Sequence, residues 1–182
     1  GHASRNDFLA RVGLSERQFF NGSTTQAALI ETVEAGDGAF AALVFRGTTG
    51  RLTNWLSNLD MVACEWPTGG NVHRGFRNIL MELWDTIAAV LEVIEKPLYY
   101  TGHSLGGALA TLAASLRQPR AVYTFGAPRI GDAEFAQTLA GVPVFNIFNP
   151  KDIVTEMPPV SRLTRFTHAG TIVRNEEIRS PQ

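Results

Sequence analysis

The feature of this sequence that most constrains its fold is the pentapeptide Gly102-His103-Ser104-Leu105-Gly106. The residues before it, Leu98 to Thr101, form a short apolar run that predicts a buried strand. The residues after it, from about Leu105 to Arg117, are rich in Ala and Leu and predict a helix. A chain that turns from strand to helix this sharply needs small residues, and a glycine lies two positions before and two positions after Ser104.

The segments around this turn alternate between strand and helix patterns. Asn71 to Glu95 carries apolar residues with a period of 3.6, which predicts the clearest helix, and Asp132 and Gly141 predict the first and last turns of another. Strand-like runs follow at Ala121 to Phe125, Val142 to Phe148 and Thr171 to Arg174. This alternation from residue 70 onward predicts an α/β fold with a mostly parallel central sheet and helices on both faces.

The N-terminal part has a different pattern. Arg5 to Phe20 is predicted to form a short helix. Ala27 to Val33 and Ala39 to Phe45 are β-prone runs separated by Glu34 to Gly38, which predicts a hairpin.

Length and charge exclude several classes of protein. The length of 182 residues indicates one domain. This domain is placed at residues 5–182, because Gly1-His2-Ala3-Ser4 resembles a cloning scar. The net charge of −1 gives no reason to expect a nucleic-acid partner. No apolar stretch reaches the roughly 18 residues of a transmembrane helix.

The single cysteine, Cys64, excludes an internal disulfide. The 182 residues show no signal peptide, but the resemblance of Gly1-His2-Ala3-Ser4 to a cloning scar leaves an extracellular or exported location as an open expectation.

A serine in such a turn predicts nucleophilic chemistry. Its hydroxyl needs exposure, orientation and an adjacent histidine that is held by a carboxylate. In chains with this motif the order is serine, then acid, then histidine. His2 and His73 precede Ser104 and His103 is adjacent to it, so elimination leaves His168 as the base. The alternative is an incidental serine in a glycine-rich turn.

Four carboxylates lie between the serine and the histidine. Asp132 is better explained as a helix cap, and Glu134 would lie in the first turn of that helix. Asp152 follows a predicted strand end, where catalytic groups of open α/β sheets gather, and it is the preferred acid. Glu156 is the second choice. For both of these residues the alternative is a solvated loop carboxylate.

Two backbone N–H groups are predicted to bind a developing oxyanion. One belongs to Leu105, which directly follows the serine. The other belongs to Thr48, in the loop from Val44 to Gly50, where a threonine hydroxyl adds a further donor.

Taken together, these motifs resemble the fungal-type, or class 3, lipase family. The resemblance runs from about residue 27 to 174 and rests on Phe45 to Thr48, Val72 to Phe76, Thr101 to Gly107, Thr124 to Gly131, Asn149 to Val154 with Pro158-Pro159, and Phe166 to Gly170. It implies an α/β-hydrolase fold and hydrolysis of carboxylic esters, often of acylglycerols. It assigns Ser104, Asp152 and His168 as the triad and Thr48 and Leu105 as oxyanion donors, with His73 and His103 structural. The sequence departs from the family in its reduced N-terminal extension and its lack of a disulfide.

The segment from Gly50 to Asp60 lies at the family's lid position. Leu52, Trp55, Leu56 and Leu59 fall at i, i+3, i+4 and i+7, on one face of a helix. A mobile lid would cover the site in water and turn these side chains toward lipid. The alternative is a fixed amphipathic helix that packs on the core.

The sequence therefore predicts a lipase-type serine hydrolase that acts through an acyl-enzyme, needs no metal or organic cofactor, and meets its lipid ester at a lipid–water interface. The alternatives within enzymes are a short-chain or phenolic carboxylesterase, a phospholipase and a transacylase. A non-catalytic lipase-like binding protein is the alternative from another class. The sequence does not determine the oligomeric state.

Overall fold

A seven-stranded sheet forms the centre of the described chain, which in this computed structural model comprises residues 2–47, 62–149, 153–157 and 165–174. Its strands are β1 (Leu14–Asn21), β2 (Gln26–Thr32), β3 (Ala41–Phe45), β6 (Leu98–His103), β7 (Ala121–Phe125), β8 (Val144–Phe148) and β9 (Thr171–Arg174). A separate two-stranded sheet pairs β4 (Ala63–Glu65) with β5 (Asn71–His73). The helices are α1 (His2–Arg11), α2 (Arg74–Leu91), α3 (Leu105–Leu116), α4 (Ala133–Gln137) and the 3-10 turn Ile153–Glu156.

The strand order is β1-β2-β3-β6-β7-β8-β9. The first two pairings are antiparallel and the other four are parallel. Connections between parallel strands are right-handed, so a chain that always steps in the same direction places its connecting helices on one face. The α2 and α3 helices pack against each other, and α3 lies on β3, β6 and β7. The predicted mostly parallel sheet is therefore confirmed.

The short helix α1 lies on the opposite face, at the β1 edge. Successive side chains of a strand point to opposite faces, so the side chains of Phe19 and Phe20 in β1 lie on opposite faces of the sheet. Phe20 is buried in the main core, whereas the guanidinium of Arg5 lies 4.5 Å from the centre of the Phe19 ring. Helices thus contact both faces of the sheet.

The core lies between the sheet and the α2–α3 pair. The face of α2 that was predicted from its periodicity is buried, as Phe76, Leu80, Ile87 and Leu91 show. Helix α3 is buried from Leu105 to Ala114 on all sides, as expected for a central helix with no solvent face. Its alanines allow a close approach to the strands. In the described part of the chain, no helix has both the length and the apolar character needed to span a bilayer.

The other face of β6, β7 and β8 is aromatic and partly open. Tyr99 contacts Tyr123 at 6.4 Å between ring centroids, and Tyr123 stacks on Phe145 at 5.3 Å. Tyr123 and Phe125 are 39% and 44% exposed. Tyr99, Tyr123 and Phe125 line one side of a groove that Phe40 and Ala42 continue toward β3.

Two predicted helices lose residues to strands, and the helix predicted from Asp132 to Gly141 covers only Ala133–Gln137. Arg5 to Phe20 is helical only as far as Arg11, because Gly13 adopts a φ of +72° and Leu14–Asn21 pairs with β2 as a strand. Asn71 to Glu95 is helical only over Arg74–Leu91, because Asn71–His73 pairs with β4. Long-range pairing overrides local pattern in both cases. The hairpin predicted between Ala27 and Phe45 is confirmed.

Candidate active site

Ser104 occupies the turn between β6 and α3, where the sequence predicts it. It is the only non-glycine residue with a positive φ in the described ranges, at φ 54° and ψ −122°. This region of backbone space favours glycine, and another residue persists there only when its surroundings hold it. The Ser104 N–H donates to the Phe125 carbonyl at 2.8 Å, which ties the turn to the end of the neighbouring strand β7.

Glycines on both sides of Ser104 allow backbones to approach closely. A Cβ on Gly102 would lie 2.2 Å from the Gly106 carbonyl carbon, and a Cβ on Gly106 would lie 2.2 Å from the Phe45 carbonyl oxygen. Real Cβ contacts are essentially never below 3.0 Å. The turn thus closes on itself and against the end of β3, and no side chain fits at either position.

Ser104 is only 2% exposed, so the exposure expected from the sequence is not observed in this arrangement. Its hydroxyl nevertheless has no hydrogen-bond partner among the described residues. A buried hydroxyl without a partner costs free energy, so such groups are rare away from functional sites. The strained backbone and the unsatisfied oxygen coincide in one residue. This coincidence makes Ser104 the centre of the candidate site.

His168 is half-buried in the loop that precedes β9. Its Nε2 lies 2.9 Å from the Thr155 carbonyl, and its ring meets Phe148 edge-on at 4.8 Å between centroids. In the neutral ring Nε2–H donates to Thr155, so the other nitrogen, Nδ1, is the acceptor. Nδ1 is buried and has no partner among the described residues.

Burial lowers the pKa of His168 below its ordinary value of 6.5, and the positive charge of Arg129 adds to this effect. The hydrogen bond to Thr155 and the charge of Glu156 oppose the shift without reversing it. The neutral imidazole is therefore the favoured form. A general base requires this form.

The His168 loop is anchored to the rest of the fold on its N-terminal side. The Thr167 N–H donates to the Gly131 carbonyl at 2.7 Å. Phe166 is buried, and its ring tilts against His73 at 6.1 Å between centroids. His73 itself caps α2, where its Nδ1 accepts from the Gly75 N–H. These contacts give His73 a structural role.

Two of the four candidate acids have other partners. Burial opposes the ionisation of Asp132, but hydrogen bonds from Phe135 N–H and from Asn71 outweigh it and lower its pKa. Its Oδ1 accepts from Phe135 N–H at 2.9 Å, so the predicted helix cap is confirmed. The Glu156 carboxylate is 74% exposed and pairs with Arg129 at 2.7 Å.

Some predicted site residues lie outside the described residues. They are Asp152, Thr48 and the four apolar residues of the predicted lid, Leu52, Trp55, Leu56 and Leu59. Leu105 is described and is the first residue of α3, where helical N–H groups lack an intrahelical acceptor. The structure thus describes Ser104, Leu105 and His168 in detail.

Sequence reasoning missed Thr155, which contacts His168 through its carbonyl oxygen. Every residue type carries that oxygen, so no residue-type signal marks it. The 3-10 turn Ile153–Glu156 that positions this carbonyl was also not predicted.

Comparison with known proteins identifies the family. Residues 42–162 match the family described as Lipase (class 3). The chain belongs to the class 3 lipase family. A lipase from Rhizomucor miehei is 36% identical over 146 residues, which are 70% of this chain and 39% of that protein. The structure of Rhizomucor miehei lipase in complex with its propeptide superposes with a TM-score of 0.76 at 30% identity, over 91% of this chain and 58% of the other.

A secreted mono- and diacylglycerol lipase from Fusarium solani is 34% identical over 124 residues, which are 59% of this chain and 36% of that protein. This class 3 lipase chain therefore spans less than two-fifths of the length of either curated relative. The family resemblance and the α/β-hydrolase fold predicted from the sequence are both confirmed.

Proposed function

We propose that this chain hydrolyses carboxylic esters of lipids through an acyl-enzyme on Ser104. The observation that carries the proposal is the strained turn at Ser104, whose buried hydroxyl has no partner among the described residues. Membership of the class 3 lipase family and a favoured neutral His168 support it.

In this mechanism His168 removes the proton of Ser104 as its oxygen attacks the ester carbonyl. Asp152 orients the imidazole by accepting from Nδ1–H and stabilises the imidazolium that forms. Nε2 must then face the serine, whereas in the structure it contacts the Thr155 carbonyl. Catalysis therefore requires the ring to leave that contact and to carry its proton on Nδ1 instead of Nε2.

The tetrahedral oxyanion is bound by the backbone N–H groups of Leu105 and Thr48. Loss of one such donor typically costs about 2.7–4 kcal/mol of transition-state stabilisation. The ester C–O bond then breaks, and His168 gives its proton to the departing alcohol. Water, activated by the same histidine, hydrolyses the acyl-enzyme, frees the fatty acid and restores Ser104. No step uses a metal or an organic cofactor.

The proposed substrate class is acylglycerols. The relatives described above are a lipase and a mono- and diacylglycerol lipase. The apolar face of the predicted lid, Leu52, Trp55, Leu56 and Leu59, favours a substrate presented at a lipid surface. Burial of each such side chain stabilises by roughly 1.5–3 kcal/mol. Exposure of several of them to water is therefore costly, whereas exposure to an oil surface is not.

The test is initial-rate kinetics on para-nitrophenyl esters of rising chain length, below and above their solubility limits, with Ser104→Ala as the control. A jump in rate when long esters form an emulsion is the expected result. Smooth saturation with a preference for short chains would identify a carboxylesterase and contradict the mobile lid. Release of fatty acid from phospholipid vesicles, measured in parallel, would identify a phospholipase. Turnover equal to that of the control on every ester would overturn the enzymatic proposal.

The pH dependence of this activity follows from the burial of His168. We expect kcat/KM to remain high at pH 6.5 and to fall only in more acidic solution, because the base is active when neutral and its pKa lies below 6.5. The measurement is a pH–rate profile on a soluble ester whose own groups do not titrate between pH 4 and pH 8. An acidic limb centred above pH 6.5 would contradict a pKa of His168 that burial holds below its ordinary value.

A further inference from the structure

Asn146 is a polar side chain in the middle of β8, and it is buried to 1% exposure. Its Nδ2 donates to the Ala169 carbonyl at 2.6 Å, and its Oδ1 accepts from the Thr124 hydroxyl at 2.8 Å. Building on the function proposed above, we propose that Asn146 is a positioning residue that holds the His168 loop in register with the Ser104 turn.

The orientation of the Asn146 amide follows from its partners. Ala169 offers a carbonyl, which only accepts, so the NH₂ group must face it. The oxygen then faces Thr124, whose hydroxyl donates. In the opposite orientation two oxygens would meet at 2.6 Å. The side chain therefore has one arrangement, and that arrangement fixes the carbonyl of the residue after His168.

The other end of this link reaches the helix that carries the serine turn. Thr124 lies on β7 as the register partner of Asn146. It is fully buried, and its Cβ lies so close to Gly107 that a Cβ on that glycine would be 3.1 Å away. Gly107 is in the first turn of α3, three residues after Ser104. A continuous path of buried contacts thus runs from the nucleophile's helix through Thr124 and Asn146 to the base's loop.

The other restraints on this side of the loop are the pairing of β9 with β8, which begins at Thr171, and close backbone packing at Gly170. Gly170 has a φ of +80°, and a Cβ on it would lie 2.4 Å from the Val144 carbonyl. This close approach limits how near the loop comes to β8. It does not fix the position of His168 along the strand. The Asn146 amide bonds the loop backbone from the sheet at 2.6 Å, whereas the Thr167 hydroxyl bonds the adjacent His168 carbonyl from within the loop at 3.5 Å.

Loss of this bond has two expected consequences. Displacement of the base by about 1 Å lowers the rate by up to roughly 10²-fold, because proton transfer depends on exact alignment with the serine. A looser loop also admits water around the imidazole. Burial is the main cause of the low pKa of His168, so hydration raises that pKa toward its ordinary value.

The experiment compares Asn146→Leu with Thr124→Val/Asn146→Leu. The single variant leaves both the Thr124 hydroxyl and the Ala169 carbonyl without their partner, whereas the double variant removes the unpaired hydroxyl and is expected to recover part of the stability. Thr111→Val is the matched control. It removes a buried hydroxyl of α3 whose hydrogen-bond acceptor, the Gly107 carbonyl, lies in the same helix.

The expected result is that kcat falls about 10- to 100-fold in both Asn146 variants with KM changed less than about threefold. The acidic limb of the kcat/KM profile moves to higher pH in both Asn146 variants. Thr111→Val changes neither kcat nor the position of that limb. Recovery of kcat together with stability in the double variant would overturn the proposal, since Asn146 would then serve stability alone. An unmoved acidic limb would also overturn it.

Wild-type and Ser104→Ala protein are assayed on the same ester, so a failure of the proposed function shows as an inactive wild type. In that event the imidazole titration of His168, followed by NMR and assigned with His168→Gln, still tests the positioning role. A higher His168 pKa in the double variant than in wild type and Thr111→Val supports the role. Equal pKa values contradict it.

Discussion

Replacement of Ser104 by alanine is expected to lower kcat for ester hydrolysis by roughly 10⁶-fold, the size of the loss when the nucleophile of a serine protease is removed. The side chain lost is the hydroxyl that no described residue binds. The activity that remains reflects the oxyanion donors and substrate binding alone.

The measurement is the rate of product release on a soluble ester, together with labelling by a phosphonate that forms a covalent adduct with activated serines. Ser115→Ala is the matched control. Ser115 lies on the same helix, and its hydroxyl accepts from the indole N–H of Trp66 at 2.8 Å. That variant is expected to lose some stability and to keep its activity and labelling. Labelling of Ser104→Ala at the wild-type rate would show that another residue is the nucleophile.

Replacement of Gly106 by alanine is expected to destabilise the fold by more than about 3 kcal/mol, at the upper end of the cost of overpacking. The added methyl group would lie 2.2 Å from the carbonyl oxygen of Phe45 and 2.9 Å from its carbonyl carbon. Both contacts are to backbone, so no change of rotamer relieves them. Helix α3 or the end of β3 must move.

Urea denaturation followed by far-UV circular dichroism measures this loss, and the yield of folded protein is a second readout. Gly141→Ala is the matched control, because a Cβ there would meet no atom within 4 Å. Such a substitution is expected to be neutral or to stabilise by about 0.4–1 kcal/mol through the unfolded state. Equal stability of the Gly106 and Gly141 variants would contradict the close packing of the turn.

The elements that could be predicted from sequence are those whose signal is local. Ala121–Phe125 and Thr171–Arg174 form strands with the predicted ends, and the strand–turn–helix around Ser104 follows its glycines. The strand Leu14–Asn21 was missed, because its β structure comes from pairing with β2 and places one phenylalanine on each face of the sheet. The sequence of those eight residues does not indicate that they pair with β2.

The candidate site shows the same division. Ser104 is marked by its motif, and His168 follows from its position in the chain, so both could be predicted. The Thr155 carbonyl and the Asn146 amide could not. A carbonyl carries no residue-type signal. The bond between Asn146 and Thr124 exists because β7 and β8 are neighbours in register, and the sequence alone does not determine that register.

The backbone at Ser104 has a consequence for attempts to improve this protein in the laboratory. Its φ of 54° and a buried hydroxyl without a partner among the described residues both oppose folding, so Ser104→Gly relieves strain and removes that hydroxyl in one change. A library selected only for resistance to heat would therefore enrich variants that have lost the nucleophile. Heat resistance at this position should be scored only among clones that still turn over substrate.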